Sequence, residues 1–140
     1  MSAKVFFDTN ILVYARDDRD PRKQRIASRL LTQHGTSRTG IISYQVVQEL
    51  FNVLLVKASH KISPIDAQEL LETVLRPLLF VHSSTILFSE AIRLQERYRL
   101  SWYDSLIVAA AQQAGCKLLY SEDLQHGQQF GPVTIHNPFL

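Results

Sequence analysis

Lys4-Val5-Phe6-Phe7-Asp8-Thr9-Asn10 decides how the rest of the chain is read. Four mostly apolar, β-prone residues run into three short polar side chains, and a second apolar run, Ile11-Leu12-Val13-Tyr14-Ala15, follows at once. A strand that is apolar on both faces belongs at the centre of a parallel sheet, where helices cover both surfaces. Asp8 then falls at the carboxyl end of that strand, the edge along which open α/β sheets place their ligands. A purely structural role is open to it as well, because an aspartate there caps the following turn by accepting backbone N–H bonds.

Further along, Asp20-Pro21 supplies a cap and a proline at the first helical position, and Ile26, Ala27, Leu30 and Leu31 recur with helical spacing up to Gly35. Thr39-Gly40-Ile41-Ile42 reads as a second strand, with Ser43 placed to cap a helix whose apolar stripe is Val46, Val47, Leu50, Phe51, Leu54 and Leu55. Ser63-Pro64-Ile65-Asp66 opens a helix that runs to Pro77, and Leu78-Leu79-Phe80-Val81 is a third strand. A helix from about Ser84 has Ile86, Leu87, Ala91, Ile92, Leu94 and Tyr98 as its inner positions. Ser101-Trp102-Tyr103-Asp104 opens another, which Gly115 ends. Lys117 to Ser121 is a fourth strand and Val133 to Ile135 a fifth, with a polar loop or one short helix over Glu122 to Gly131. Strands alternating with helices predict βαβ units and right-handed crossovers. The expected fold is α/β: a three-layer α/β/α sandwich with a mainly parallel four- to five-stranded sheet.

At 140 residues the chain is long enough for one core and short for two, so residues 1–140 are expected to form a single domain. Hydrophobic residues make up 46% and charged residues 20%, the balance of an ordinary globular protein. No stretch has the length of a membrane span and the N-terminus lacks a signal-peptide pattern, so the expected compartment is the cytoplasm, with no membrane partner. The lone Cys116, beside an apolar strand, reads as a small buried hydrophobe. A formal charge of +2 permits nucleic acid without arguing for it. Arg22, Lys23, Arg25 and Arg29 form one basic cluster and Arg93, Arg97 and Arg99 another, and solvated helix faces account for either.

Four acids carry the functional argument by their positions. Asp8 ends the first strand, Glu49 lies in the helix after the second, Asp104 in the first turn of a later helix, and Asp123 just past the fourth strand. Strand ends and the starts of the following helices share one rim of a parallel sheet, so topology brings three of them together and the longer Glu49 reaches back. Taken singly, each has a plain alternative: Glu49 as polar-face decoration, Asp104 as the acid of a capping box with Ser101, Asp123 as a turn residue. A shared site explains all four placements at once, so their joint placement weighs more than any one of them.

Clustered carboxylates repel and raise one another's pKa, a conflict that a divalent cation removes. All-oxygen ligation suits Mg²⁺, with Mn²⁺ as the other option, and points to phosphodiester hydrolysis by an activated water. His34, His60, His82, His126 and His136 have no HExxH or C-x-x-C companion, which argues against zinc. Neither a P-loop nor a G-x-G-x-x-G is present. A phosphatase with an aspartyl nucleophile carries a second aspartate where Asn10 stands, and a receiver domain has its aspartate where His82-Ser83 stands.

With these pieces in place, the chain resembles a PIN-domain ribonuclease, more narrowly the VapC-type toxin of a toxin–antitoxin pair. The resemblance rests on Val5 to Tyr14 with its Asp8-Thr9-Asn10, on Ser43 with Glu49, on Trp102-Tyr103-Asp104-Ser105-Leu106-Ile107-Val108-Ala109-Ala110-Ala111, and on Leu118 to Leu124. It implies that Asp8, Glu49, Asp104 and Asp123 form an acidic quartet, with Asp8 and Asp104 as direct metal ligands and Glu49 and Asp123 acting directly or through water. Asn10 and Ser121 would support them, and Thr9 would hold the turn. It also implies endonucleolytic cutting of single-stranded or looped RNA to a 5′-phosphate and a 3′-hydroxyl, a homodimer, and an antitoxin that covers the site. Two positions depart from the family pattern. Ser121 replaces a commoner threonine, and Leu124-Gln125-His126 provide no further acid after Asp123, which bears on a second metal position. The alternatives are a PIN-like nuclease of RNA processing and a non-catalytic module that holds Mg²⁺ against RNA or protein.

Overall fold

The computed structural model describes residues 3–140. Strands β1 (Val5–Phe7), β2 (Gly40–Ser43), β3 (Leu79–Val81), β4 (Leu118–Tyr120), β5 (Gln129–Phe130) and β6 (Val133–His136) form one sheet in the order β3-β2-β1-β4-β6-β5. Every pairing is parallel except β5 with β6, so the sheet has six strands rather than four or five. The sixth, β5, is a two-residue strand inside the stretch read as loop or short helix, and it is too brief to carry a periodic signal.

Around the sheet lie α1 (Thr9–Ala15), α2 (Pro21–Thr36), α3 (Tyr44–Phe51), α4 (Pro64–Leu70), the short turn α5 (Arg76–Leu78), α6 (Thr85–Tyr98) and α7 (Trp102–Gln113). Two of these helices continue in wider π-helical turns, α3 over Asn52–Lys57 and α4 over Leu71–Leu75. The caps anticipated at Asp20, Ser63 and Ser101 all form, as does one at Ser84, each side chain accepting from a backbone N–H three residues on. Ser43 takes the N-cap position of α3 yet makes no capping bond.

β1 is buried throughout, as its apolar faces require, and Phe6 and Phe7 are fully enclosed. Leu50, Leu54 and Leu87 belong to the core, as does Cys116, whose thiol burial pushes up to about 12 and so keeps unreactive. On α6 the true stripe is Leu87, Ala91 and Leu94, with Tyr98 packed against the core. Ile86 and Ile92, expected inside, are 72% and 57% exposed. They fall off the i, i+4, i+7 line that faces the sheet, so the helix has one narrow buried seam and apolar residues beyond it. Leu55 on the π-helical extension of α3 likewise turns outward.

Gly40 shows how tightly β2 is held: a Cβ there would lie 2.9 Å from the Phe7 ring and 3.0 Å from Leu78. Gly40→Ala is expected to destabilise the fold by about 1–3 kcal/mol through overpacking, measured by urea denaturation. An unchanged midpoint would mean that Phe7 repacks freely.

Candidate active site

Between β1 and β4 the strand order reverses, and the crevice at such a switch point is where α/β sheets bind ligands. Asp8 sits in it. Its backbone N–H donates to the Tyr120 carbonyl at 3.0 Å, extending the β1–β4 pairing beyond β1, and the residue is 5% exposed. The cap and the site are one arrangement: Oδ1 accepts from the Thr9 N–H at 2.8 Å, starting α1, while Oδ2 accepts from the Ser121 hydroxyl at 2.7 Å. Burial pushes the Asp8 carboxyl up to about 7. The Ser121 and Thr9 bonds pull it down, and the negative charges of Asp123 and Glu49 push it further up.

Two small polar residues tie the acids together. The Asn10 side-chain amide donates to Asp123 Oδ2 at 3.2 Å and more weakly to Asp8 Oδ2 at 3.4 Å, while its carbonyl oxygen accepts from the Glu122 N–H at 3.2 Å. An aspartate at this position would replace that donor with a third negative charge. Ser121, fully buried, donates to Asp8 and accepts from the N–H groups of Asp123 and Leu124 at 3.1 and 3.3 Å. That uses the full capacity of one hydroxyl, so serine makes all the polar contacts available to a threonine here.

Glu49 is reached from the other side, Thr9 Oγ1 donating to its Oε1 at 2.8 Å. Asp123, exposed, is the common neighbour: its charge raises the pKa of both Asp8 and Asp104. The Asp104 carboxyl is pushed up by partial burial and by Asp123, against a hydrogen bond with Ser101 that lowers it. Of the capping box, one half is built: the Asp104 backbone N–H donates to Ser101 Oγ, but the Ser101 N–H does not donate back to the Asp104 carboxylate. Asp104→Asn is therefore expected to be neutral or stabilising in metal-free thermal melts. A loss of about 0.5–2 kcal/mol would restore the cap as its main role.

Glu122 was not singled out by sequence, and its neutralisation sets it apart from the four. Although partial burial raises it, bonds from Lys23 (2.5 Å) and the Tyr14 hydroxyl (2.7 Å) hold its carboxyl below the usual range. Lys23 also lies over the rings of Tyr14 and Phe139, and Arg22 donates to the Phe139 carbonyl at 2.7 Å. This end of the first basic cluster thus clamps the C-terminal segment onto α2. In the second cluster Arg93 pairs with Glu90 and Arg97 covers Tyr98.

Over Glu49 and Asp123 lies an open groove of about 550 Å³, whose lining includes neither Asp8 nor Asp104. Thr9, Asn10, Glu49, Glu122 and Asp123 line it, with Arg19 and Lys57 also on its walls. The donor set is carboxylate oxygen throughout, the chemistry that suits a hard divalent cation. Among the described residues no three acids, histidines or cysteines converge closely enough to form a ready-made metal cluster. Four of the five histidines lie elsewhere, His34 beside the rings of Phe7 and Tyr120, His82 against Tyr44, and His126 against His136, while His60 lines a hollow that shares Asp17 and Arg19 with the groove. No helix among the described residues is long and apolar enough to cross a membrane.

The sequence profile of the PIN domain matches residues 5–128, and the chain belongs to the PIN-domain family. Among solved structures it is similar to a toxin–antitoxin complex from Klebsiella pneumoniae, with 19% identity, 96% of this chain and 98% of that chain covered, and a TM-score of 0.65. It is similar to VapC20 of Mycobacterium tuberculosis, described as a Sarcin-Ricin loop cleaving toxin, with 21% identity, 86% and 90% covered, and a TM-score of 0.66. It is also similar to VapBC2 from Rickettsia felis bound to a promoter DNA fragment, with 19% identity, 95% and 97% covered, and a TM-score of 0.68. At these identities the likeness is one of fold. No curated protein matches the chain significantly.

Proposed function

We propose that the chain is a divalent-metal-dependent endoribonuclease acting as the toxin of a toxin–antitoxin pair, one PIN domain working in the cytoplasm. The observation that carries this reading is Asp8: a buried carboxylate at the switch point of the sheet, crowded by Asp123 and Glu49, with Asp104 electrostatically linked through Asp123. Such crowding is unfavourable without a cation and is relieved by one.

Asp8 and Asp104 are the residues we assign to direct contact with Mg²⁺ or Mn²⁺, with Glu49 and Asp123 completing the set directly or through water. A cation held there supplies charge neutralisation at the phosphate and an activated water. The chain's own residues do the positioning. Asn10 holds Asp123 toward Asp8, Thr9 holds Glu49, and Ser121 fixes the orientation of the Asp8 carboxylate. Lys57 on the groove wall favours the phosphates of a single strand, whereas Arg19 is paired with Asp17 at 2.9 Å.

One similar structure is a toxin–antitoxin complex, which supports an antitoxin partner covering the groove, and family likeness supports a homodimer. The absence of a preformed ligand cluster favours a second reading, a non-catalytic module that only binds RNA or protein with Mg²⁺. Incubation with excess unpaired RNA, with Mg²⁺ or with EDTA, separates the two. The nuclease gives many cuts per protein, each with a 5′-phosphate, only with metal. Binding without turnover leaves the module.

A further inference from the structure

Beside the carboxylates, on the other side of α3, the same rim of the sheet carries a second hollow of about 210 Å³, walled by Tyr44, Gln48, Phe88, Trp102 and Tyr103 with Ser43 among its lining residues. Drug-sized pockets run to about 300–1,000 Å³, so this one suits a single ring system. The four aromatic side chains are 39%, 42%, 38% and 63% exposed, more than large aromatics keep when a core absorbs them. Phe88 and Trp102 are tilted at 54° with centroids 6.2 Å apart, a splayed pair and not a closed stack. The Gln45 amide donates to the Tyr103 carbonyl at 3.1 Å and ties the start of α7 to α3.

Ser43 supplies the second observation. It is 3% exposed, makes no capping bond, and its hydroxyl has no hydrogen-bond partner among the described residues. Leaving a buried hydroxyl unpaired is costly, which points to a partner brought from outside. The hollow is also next to the chemistry. Tyr103 precedes Asp104, Gln48 precedes Glu49, and Ser43 ends β2, the parallel neighbour of the strand that leads into Asp8.

We propose that this hollow is a base pocket, in which one unpaired nucleobase of the RNA stacks on Trp102 and Phe88 next to the bond that is cut, its edge read by the Ser43 hydroxyl. The inference rests on the nuclease reading for its substrate. Unpaired RNA is recognised in this way, by aromatic stacking and hydrogen bonds to base edges. The exposed Ile86 and Ile92 nearby on α6 would attract a second copy of the chain, but an aliphatic occupant leaves the Ser43 hydroxyl unpaired.

Trp102 is the only tryptophan, so its emission reports on this pocket alone. The full chain is titrated in EDTA with a single-stranded RNA oligonucleotide of mixed sequence and with a matched oligomer of abasic riboses, binding being followed separately by anisotropy. The intact RNA quenches Trp102 and the abasic oligomer does not. Phe88→Ala weakens binding about tenfold or more, as expected for a lost stacking partner. Ser43→Ala changes the ranking among poly(A), poly(C) and poly(U) with little change in affinity for the abasic oligomer. RNA binding without an emission change overturns the proposal, as does no RNA binding at all. So does an emission that shifts with protein concentration and ignores RNA, which assigns the face to a second copy. Metal-dependent cutting by Trp102→Ala at unchanged KM would overturn the base pocket and leave the nuclease standing. Quenching without any cutting leaves the pocket and removes the nuclease.

Discussion

Asp8→Asn lowers metal-dependent RNA cleavage by at least about a hundredfold while the far-UV spectrum and the thermal transition remain those of a folded protein. Asparagine keeps one oxygen to accept from the Thr9 N–H, so the start of α1 survives. It brings an amide group toward Ser121 and Asn10, where the native carboxylate accepts from both, and it removes the charge that a hard cation requires. The same substitution relieves the repulsion from Asp123 and Glu49, so loss of activity comes with no loss of metal-free stability. Undiminished cutting by the purified variant would remove Asp8 from the chemistry and with it the nuclease reading. Lost cutting together with a collapsed fold would return Asp8 to a structural role.

Metal-free stability falls as pH rises from about 4 to about 7, and most of this slope disappears in Asp8→Asn. The carboxyl has an ordinary value of 3.8 and is pushed up to about 7 by burial, in part offset by its Ser121 and Thr9 bonds, so across that window the native state binds a proton that the unfolded chain releases. Stability decreases with pH wherever the native state holds more protons. At about 1.4 kcal/mol for each pH unit, the window amounts to on the order of 4 kcal/mol for Asp8. Asp104, raised by burial and Asp123, adds in the same direction, whereas Glu122, held low by Lys23 and Tyr14, loses its contribution as pH falls through the acid range. Urea denaturation in EDTA between pH 5 and 8 measures the slope. A cation competes with the Asp8 proton, so added Mg²⁺ stabilises more at pH 8 than at pH 5.5. A flat wild-type profile would show that Asp8 is ionised throughout.

Much of this was legible in order along the chain, because the signals are local. The doubly apolar run before Asp8 could only be a central strand, and the starts at Pro21, Pro64 and Trp102 each carry a capping residue that the structure uses. Glu49 and Asp123 were harder, since each has an ordinary surface explanation, and only the shared rim of a parallel sheet argues for reading them together with Asp8 and Asp104. The outward turn of Ile86 and Ile92 was not readable. Helical spacing permits several adjacent stripes on α6, and the sheet's position selects one. The strand at Gln129–Phe130 exists because β6 offers it an antiparallel edge.

The sequence by itself determined the alternation of strands and helices, the placement of three acids at strand ends and a helix start with Glu49 further along a helix, and the chemistry that oxygen ligands suit. Those follow from side-chain type and spacing within a few residues. Which donors hold which acids was decided only in three dimensions. Asn10 meets Asp123 across 113 positions, Thr9 meets Glu49 across 40, and Lys23 neutralises Glu122 but leaves Asp123 exposed. The same packing leaves Ser43 without its cap bond beneath a set of aromatic rings. Neighbours in space but not in sequence set the burial and the fields that fix a carboxyl's charge, and so the tertiary structure, not the motif, makes Asp8 the residue that titrates near neutrality.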